Sequence, residues 1–326
     1  MNILKNTQTR INKLFNYNEE KSLKEPAFIF LSLLSLLAIF IVYSNHFYNS
    51  FQFDDAHTIV SNNAIKEIDI LTFFKEGSTF SSLPSNQSYR PYITLEYAID
   101  YKIGEGNTYV FHIHIFLTFL AACTLLFIFL KQLLNKFKDS KNNKFWALLS
   151  ATTFGLLCAN AETVNYIIQR AEIVSAFYIL AGFVAFLKGG LWKKYHLYLI
   201  FPLIGFFAKE MTFVFSPLLF LYVLIFEENT DLLRFYKKDE FRKVLKSFIR
   251  ILPSFLLTFF FLIFYSKMLP ETFSSGSIDR FKYIITQPLV VCHYIVTYFI
   301  PYNLSADTDW KTFNSILEPK AILGII

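Results

Sequence analysis

The chain alternates long apolar stretches with short charged ones. Between Glu25 and Asp54 there is no Asp, Glu, Lys or Arg across 28 residues. As a helix that run is about 42 Å long, against the roughly 30 Å hydrocarbon core of a bilayer. Further charge-free runs cover residues 106–130, 145–161, 173–187, 195–208, 211–226, 251–266 and 283–306. Several hold only 14 to 17 residues, which is short for a full crossing at about 1.5 Å per residue. The ionisable residues beside them (Glu162, Arg170, Glu172, Lys209 and Glu210) are expected to snorkel or to sit near membrane depth. The pattern predicts an all-α fold, a polytopic transmembrane helical bundle of about eight segments. A long loop, 50–107, follows the first span.

Composition agrees with this pattern. Of 326 residues, 54% are hydrophobic and 17% charged, against about 25% charged in ordinary soluble domains. That excludes a soluble enzyme, a disordered chain and a secreted disulfide scaffold. Cys123, Cys158 and Cys292 all lie in apolar runs and read as small hydrophobic residues, not as a disulfide framework or a zinc site. The tail, 1–25, carries Lys5, Arg10, Lys13, Lys21 and Lys24. It resembles the n-region of a signal peptide, but Ser44-Asn45-His46 is no small-residue cleavage site, so the first span reads as an uncleaved anchor.

Lys and Arg on alternate sides of the runs number 20 against 9, while Asp and Glu number 9 against 13. This asymmetry predicts a cytoplasmic N-terminus and an extracytoplasmic 50–107 loop. The net charge of +6 is then mainly a topology signal, helped by anionic membrane lipid, and needs no nucleic acid. The last run is ambiguous between a crossing and a re-entrant segment. Pro288 and Pro301 break it, and Gln287, His293 and Asn303 are scattered along it. The short apolar stretch 321–326 after Pro319 gives the expectation of a fragment of a longer protein. No repeat of helical-solenoid period is found.

Polar residues concentrate in a few places. Segment 227–250 mixes basic residues with Phe235, Phe241, Leu245 and Phe248, and reads as an interfacial amphipathic helix. Asp54 and Asp55 stand side by side just after the first span. Adjacent carboxylates in a partly dry site raise one another's pKa, which suits a general base. They are equally candidates to hold a divalent cation such as Mg2+ or Mn2+ through oxygen, or to cap a helix. Arg90, between Tyr89 and Pro91, is a candidate to fork onto a phosphate or to form a surface ion pair. His112 and His114 are two apart on a helix and face different ways, so a joint metal site is not expected. Glu162, Asn165 and Gln169 follow helical spacing and are expected to share a face, flanked by Arg170 and Glu172. Lys209-Glu210 is the next acid–base pair. Each such pair alone reads as a structural ion pair; three of them at one membrane face favour a shared polar cavity.

The order of these motifs resembles a known family. The pattern F-x-x-D-D-x-x-x-I-x-x-N-x-x-I is met by Phe51, Asp54, Asp55, Ile59, Asn62 and Ile65. Tyr89-Arg90-Pro91, Gly106-Asn107 with Phe111-His112, Glu162, Arg170-Ala171-Glu172 and Lys209-Glu210 follow. Thr286-Gln287, Tyr294, Tyr298, Pro301 and the Asp307–Asp309 pair come last. This is similar to the membrane part of the transmembrane-and-tetratricopeptide-repeat O-mannosyltransferases and their bacterial relatives, of the GT-C class of glycosyltransferases. The resemblance covers roughly residues 26 to 320.

It implies a transmembrane glycosyltransferase domain over 26–326, with an extracytoplasmic active site in a bacterial inner membrane. An acid of the first outer loop, Asp54 or Asp55, would be the catalytic base. The donor would be a sugar, mannose or another hexose, on a polyprenyl phosphate, and the acceptor a protein or glycolipid hydroxyl. Arg90, Arg170 and Lys209 would meet the donor phosphate, with Glu162, Glu172, Glu210 and His112 completing the substrate-binding set. The family's helical repeats are absent from this chain.

In that reading a carboxylate takes the acceptor proton as the oxygen attacks the anomeric carbon, one displacement inverts that carbon, and cations stabilise the departing phosphate. Two rivals predict different behaviour. A transporter or lipid-carrier flippase would keep its transport after Asp54→Asn and form no transfer product. A noncatalytic membrane scaffold would answer to Arg90, Arg170 and Glu172 substitutions in stability alone.

Overall fold

A computed structural model describes residues 24–234, 236–273, 279–302, 304 and 310–325. The tail cations Lys5, Arg10, Lys13 and Lys21, along with Phe235, Asn303 and the Asp307–Asp309 pair, lie outside the described residues. The fold is an all-α bundle, 79% helical, with no strand among the described residues.

The first span forms α1 (Glu25–Val42), opened by Pro26, whose missing N–H costs nothing in a first turn. The loop after it folds into short turns that lead to α2 (Pro91–Gly104), again opened by a proline. Glu105 and Gly106 turn the chain at positive φ, 50° and 84°. Asn107 then accepts a hydrogen bond from the Tyr109 amide and caps α3 (Thr108–Phe137). After α4 (Asn143–Leu156) comes a bend of 53° into Cys158–Asn165, then α5 (Arg170–Lys188), α6 (Phe215–Tyr222), α7 (Lys238–Met268) and α8 (Arg280–Phe299).

Five helical stretches among the described residues are long and apolar enough to cross a membrane, or six if the bent pair forms one span. This corrects the expected count of about eight. Within residues 195–208 only Leu197–Phe206 forms an apolar helix, well short of a span. It nonetheless runs alongside α5: Tyr198 packs on Phe186 at 5.0 Å, and Lys209 reaches Glu172 near the other end of α5. A Cβ on Gly205 would stand 2.9 Å from Tyr178 Cβ, so that contact admits only glycine. α8 contains Pro288 and starts with Arg280 and Lys282, and it does not qualify as a span.

Among the described residues two large apolar clusters hold the bundle, and a small third one of Ile285, Phe313 and Ala321 packs α8 against the C-terminal segment. Ile39, Tyr43, Ile93, Tyr97, Phe111, Ile115 and Ile173 join α1, α2, α3 and α5. Phe183, Tyr198, Phe215, Leu219 and Ile251 join α5, α6 and α7. Between lipid-facing helices apolar burial gives little drive, so interhelical hydrogen bonds add specificity. Ser216 Oγ lies 2.6 Å from Ser254 Oγ and 2.8 Å from Thr258 Oγ1, tying α6 to α7. α2 is buried along most of one face. The 50–107 segment is therefore a folded cap on one end of the bundle, not an open loop.

Candidate functional site

Four chain segments meet at that end: 46–57, the turn before α2, the connection 161–172 and the corner at 209–210. Hydrogen bonds fix their meeting. Asn49 Nδ2 donates to Asn165 Oδ1 at 2.9 Å, the Asp54 amide donates to the Tyr166 hydroxyl at 2.9 Å, and the Tyr92 amide donates to the Phe207 carbonyl at 3.1 Å.

The two adjacent acids are separated in role by their surroundings. Asp55 is fully buried. Its Oδ2 accepts from the Gln52 amide at 3.0 Å and its Oδ1 from the Ile168 amide at 3.0 Å. Burial pushes its pKa up to about 6, against the opposing pull of those two N–H groups. Asp55 is a bracket that ties the first loop to the 166–169 turn.

Asp54 is the opposite case: its side chain is 50% exposed. Oδ1 lies 3.2 Å from His57 Nε2, and the His57 ring is held from behind by Ser81 Oγ, 2.9 Å from Nδ1. Asn86 Nδ2 approaches the same Nε2 at 3.2 Å. The Asp54 carboxylate is thus half exposed while its amide and one oxygen are held, and the Tyr166 hydroxyl that the amide engages also lies within side-chain hydrogen-bonding reach of it. Phe53, directly before it, adopts a positive φ of 37°, an outlier for an aromatic residue of the kind that concentrates at functional turns. The turn after it, Ala56–Val60, is a π-helix, another feature enriched at functional sites.

Neither acid caps a helix by its side chain. Nor do the two converge on a common point as cation ligands, because both Asp55 oxygens face backbone N–H groups. Among the described residues no group of three or more His, Cys, Asp or Glu side chains is set to hold a metal ion.

The cations divide as well. Arg90 Nη2 meets Glu210 Oε1 at 3.1 Å, and its guanidinium lies 5.1 Å from the Phe80 ring centroid. Lys209 Nζ meets Glu172 Oε1 at 2.5 Å. Both pairs are partly exposed, and the adjacency of Lys209 and Glu210 makes them neighbours. Arg170 is placed otherwise. It is fully buried, 2.6 Å from Asp100 Oδ2 and 3.9 Å from Glu96 Oε2, and donates to the Phe111 carbonyl at 3.0 Å. Its guanidinium also faces the Tyr97 ring at 5.2 Å. Asp100 accepts in addition from His114 Nδ1 at 2.8 Å. Burial raises the Glu96 pKa, opposed by Arg170 and His114. Arg170 has no surface left for a ligand phosphate, which removes it from the expected phosphate set.

His112 is likewise fully buried, with Nε2 3.1 Å from the Asn49 carbonyl and its ring against His46, so it braces the loop from inside. The expected shared face of Glu162, Asn165 and Gln169 does not form. The helix breaks after Asn165, Asn165 turns to Asn49, and only Gln169 reaches Glu162, at 3.3 Å. His57, Tyr166, Ser81 and Asn86 are not among the candidates that the sequence pattern singles out. The i, i+3 spacing from Asp54 was the available signal for His57; the other three are distant in sequence.

No family model matches the chain, and no solved structure matches it. Curated relatives do. Over 162 residues the chain is 31% identical to a protein O-mannosyl-transferase of Caenorhabditis elegans, covering 48% of this chain and 23% of that protein. Over 150 residues it is 27% identical to Protein O-mannosyl-transferase TMTC3 of Homo sapiens, covering 45% of this chain and 16% of that protein. Protein O-mannosyl-transferase TMTC2 of Mus musculus is 24% identical over 151 residues, 45% of this chain and 17% of that protein. The matched stretch is thus less than a quarter of the length of each of these relatives.

Proposed function

We propose that the chain is the membrane-embedded catalytic part of a glycosyltransferase that moves mannose, or another hexose, from a polyprenyl-phosphate carrier to a hydroxyl of a protein acceptor. The carrying observation is the split of the Asp54–Asp55 pair. One acid is buried and bracketed, while its neighbour presents a half-exposed carboxylate at the end of an apolar bundle that also carries two partly exposed acid–cation pairs. The likeness to proteins named protein O-mannosyl-transferases supports the choice of reaction and favours a protein acceptor over a glycolipid.

Asp54 is the base in this reading. Its Oδ2 takes the proton of the acceptor hydroxyl as that oxygen attacks the anomeric carbon. The new C–O bond forms as the bond from that carbon to the phosphate oxygen breaks, so the configuration inverts and the lipid phosphate leaves with the electron pair. His57 holds Oδ1 and orients the carboxylate. Arg90 and Lys209 rest on Glu210 and Glu172 until a phosphate competes for them; a dianionic leaving group at this rim gathers both cations as charge develops. Glu162, with Gln169, lies on the connection next to Tyr166. Arg170 and His112 are framework residues. No step is routed through a divalent cation, since Asp54 and Asp55 offer no shared donor set. By the distribution of Lys and Arg, the Asp54 end faces the extracytoplasmic side and residue 24 the cytoplasm.

The test is transfer itself. The full chain in proteoliposomes, given a mannosyl polyprenyl phosphate and a Ser/Thr peptide, adds a hexose to the peptide with inverted anomeric configuration. Donor consumption with no peptide product, or translocation of the donor without bond cleavage, would contradict the assignment.

A further inference from the structure

At the opposite end of the bundle, Lys193, Lys194, His196 and Arg250 line a cavity of about 330 Å3 together with Phe186, Gly190 and Tyr198. Arg250 also borders a neighbouring cleft of about 460 Å3, whose other walls are Arg242, Leu245, Lys246 and Ile249. Two carboxylates face this cluster from beneath. Glu227 meets Lys193 at 2.5 Å and Arg250 at 2.8 Å; Glu228 meets Lys246 at 2.8 Å and Arg250 at 3.3 Å. Their side chains are each 9% exposed, whereas those of Arg250 and Lys246 are 41% and 68% exposed.

The anions are therefore inside and the cations outside. Five Lys and Arg stand against two Glu, and among the described residues Lys194 and Arg242 have no carboxylate partner. Leu245 and Ile249 are 50% and 59% exposed in the same cleft. On α7 Arg242, Lys246 and Arg250 follow i, i+4, i+8, while Leu245 and Ile249 follow i, i+4 beside them. A soluble anion would use the cations and leave the apolar stripe wet. A lipid uses both.

We propose that this double cleft is a site for the headgroup of an anionic glycerophospholipid. The phosphate lies against Arg250, with Lys194 and Arg242 on either side, and the glycerol and upper acyl carbons rest on Leu245 and Ile249 before the chain descends along the apolar part of α7 beyond residue 250. The site is independent of the sugar-transfer chemistry at the other end. Its setting is the level where headgroups meet the ends of apolar helices.

Trp192, beside Lys193 and stacked on Phe201 at 5.7 Å, reports on the site. The full chain with Trp146→Phe and Trp310→Phe leaves Trp192 as the one tryptophan of the three. In vesicles of neutral phosphatidylcholine, a minor fraction of acyl-brominated phosphatidylglycerol quenches Trp192 more than the same fraction of brominated phosphatidylcholine. Arg242→Gln, which breaks no ion pair among the described residues, lowers that preference about fivefold. Adding Lys194→Gln and Arg250→Gln removes it. Equal quenching by the two lipids, or an unchanged preference in the triple variant, overturns the proposal. Stabilisation of the detergent-solubilised chain by inorganic phosphate, without a phosphatidylglycerol preference, assigns the cations to a free phosphate and overturns it too.

Discussion

Asp54 and Asp55 are adjacent in the chain and differ in almost every physical respect. Exposure lets Asp54 reach a ligand; burial pushes the Asp55 pKa up to about 6, against the pull of two backbone donors. The sign for stability follows. A buried acid with a raised pKa favours the fold below about pH 4, and that contribution is lost as pH rises through about 6. The Asp55 contribution, read as the difference in thermal midpoint between wild type and Asp55→Asn in detergent, should therefore fall between about pH 4 and pH 6 by the equivalent of about 2–3 kcal/mol. A difference that stays constant across that range would contradict the assignment. His57→Ala frees the Asp54 carboxylate to rotate, which should lower kcat about tenfold or more while KM stays close to wild type. The two acids could not be told apart in the sequence, because the group that claims Asp55 is the amide of Ile168, 113 residues away.

At the scale of the element, the connection 161–172 carries the most information. The spacing of Glu162, Asn165 and Gln169 suggested one continuous helix, but the chain breaks there and puts Tyr166 and the Ile168 amide against the first loop. What holds the break is Arg170, clamped by Asp100, Glu96 and the Phe111 carbonyl. Removing a buried cation strands two carboxylates, so Arg170→Gln should cost about 3–5 kcal/mol of stability. Asp100→Asn in the same chain should recover part of that loss, measured as a double-mutant cycle on thermal midpoints. Additive losses would contradict the pairing. The partly exposed Lys209–Glu172 pair behaves differently: Lys209→Met should change stability by less than about 1 kcal/mol. Its expected effect is on kcat/KM for the lipid-linked donor. The individual acid–base groupings were legible in the sequence. Which of them is buried was not, since Arg90 and Arg170 both sit at helix starts, and only the packing of α2 against α3 and α5 distinguishes them.

At the scale of the molecule, hydrophobic pattern alone identified an all-α membrane bundle, and α1, α3, α5 and α7 lie where the apolar runs lie. The count of crossings was less legible. A charge-free run of 14 residues reads the same whether it spans a bilayer or pairs with a longer neighbour, and Leu197–Phe206 does the second. Orientation is testable on the whole chain. With Cys158 and Cys292 replaced by Ser and Cys123 buried, Ser85→Cys should react with a membrane-impermeant maleimide from the extracytoplasmic side. Ser140→Cys should react only after the membrane is opened. The reverse pattern would place the Asp54 end in the cytoplasm and remove the basis for an extracytoplasmic reaction.

The most direct measurement is sugar transfer by three chains at equal folded concentration in proteoliposomes: wild type, Asp54→Asn and Asp55→Asn. Loss of the base should lower transfer by Asp54→Asn about 10²–10⁴-fold with its thermal midpoint unchanged. Asp55→Asn should keep a substantial share of the wild-type rate once corrected for its folded fraction. Wild-type transfer by Asp54→Asn, or a larger loss in Asp55→Asn than in Asp54→Asn, would contradict the assignment of the exposed acid as the base.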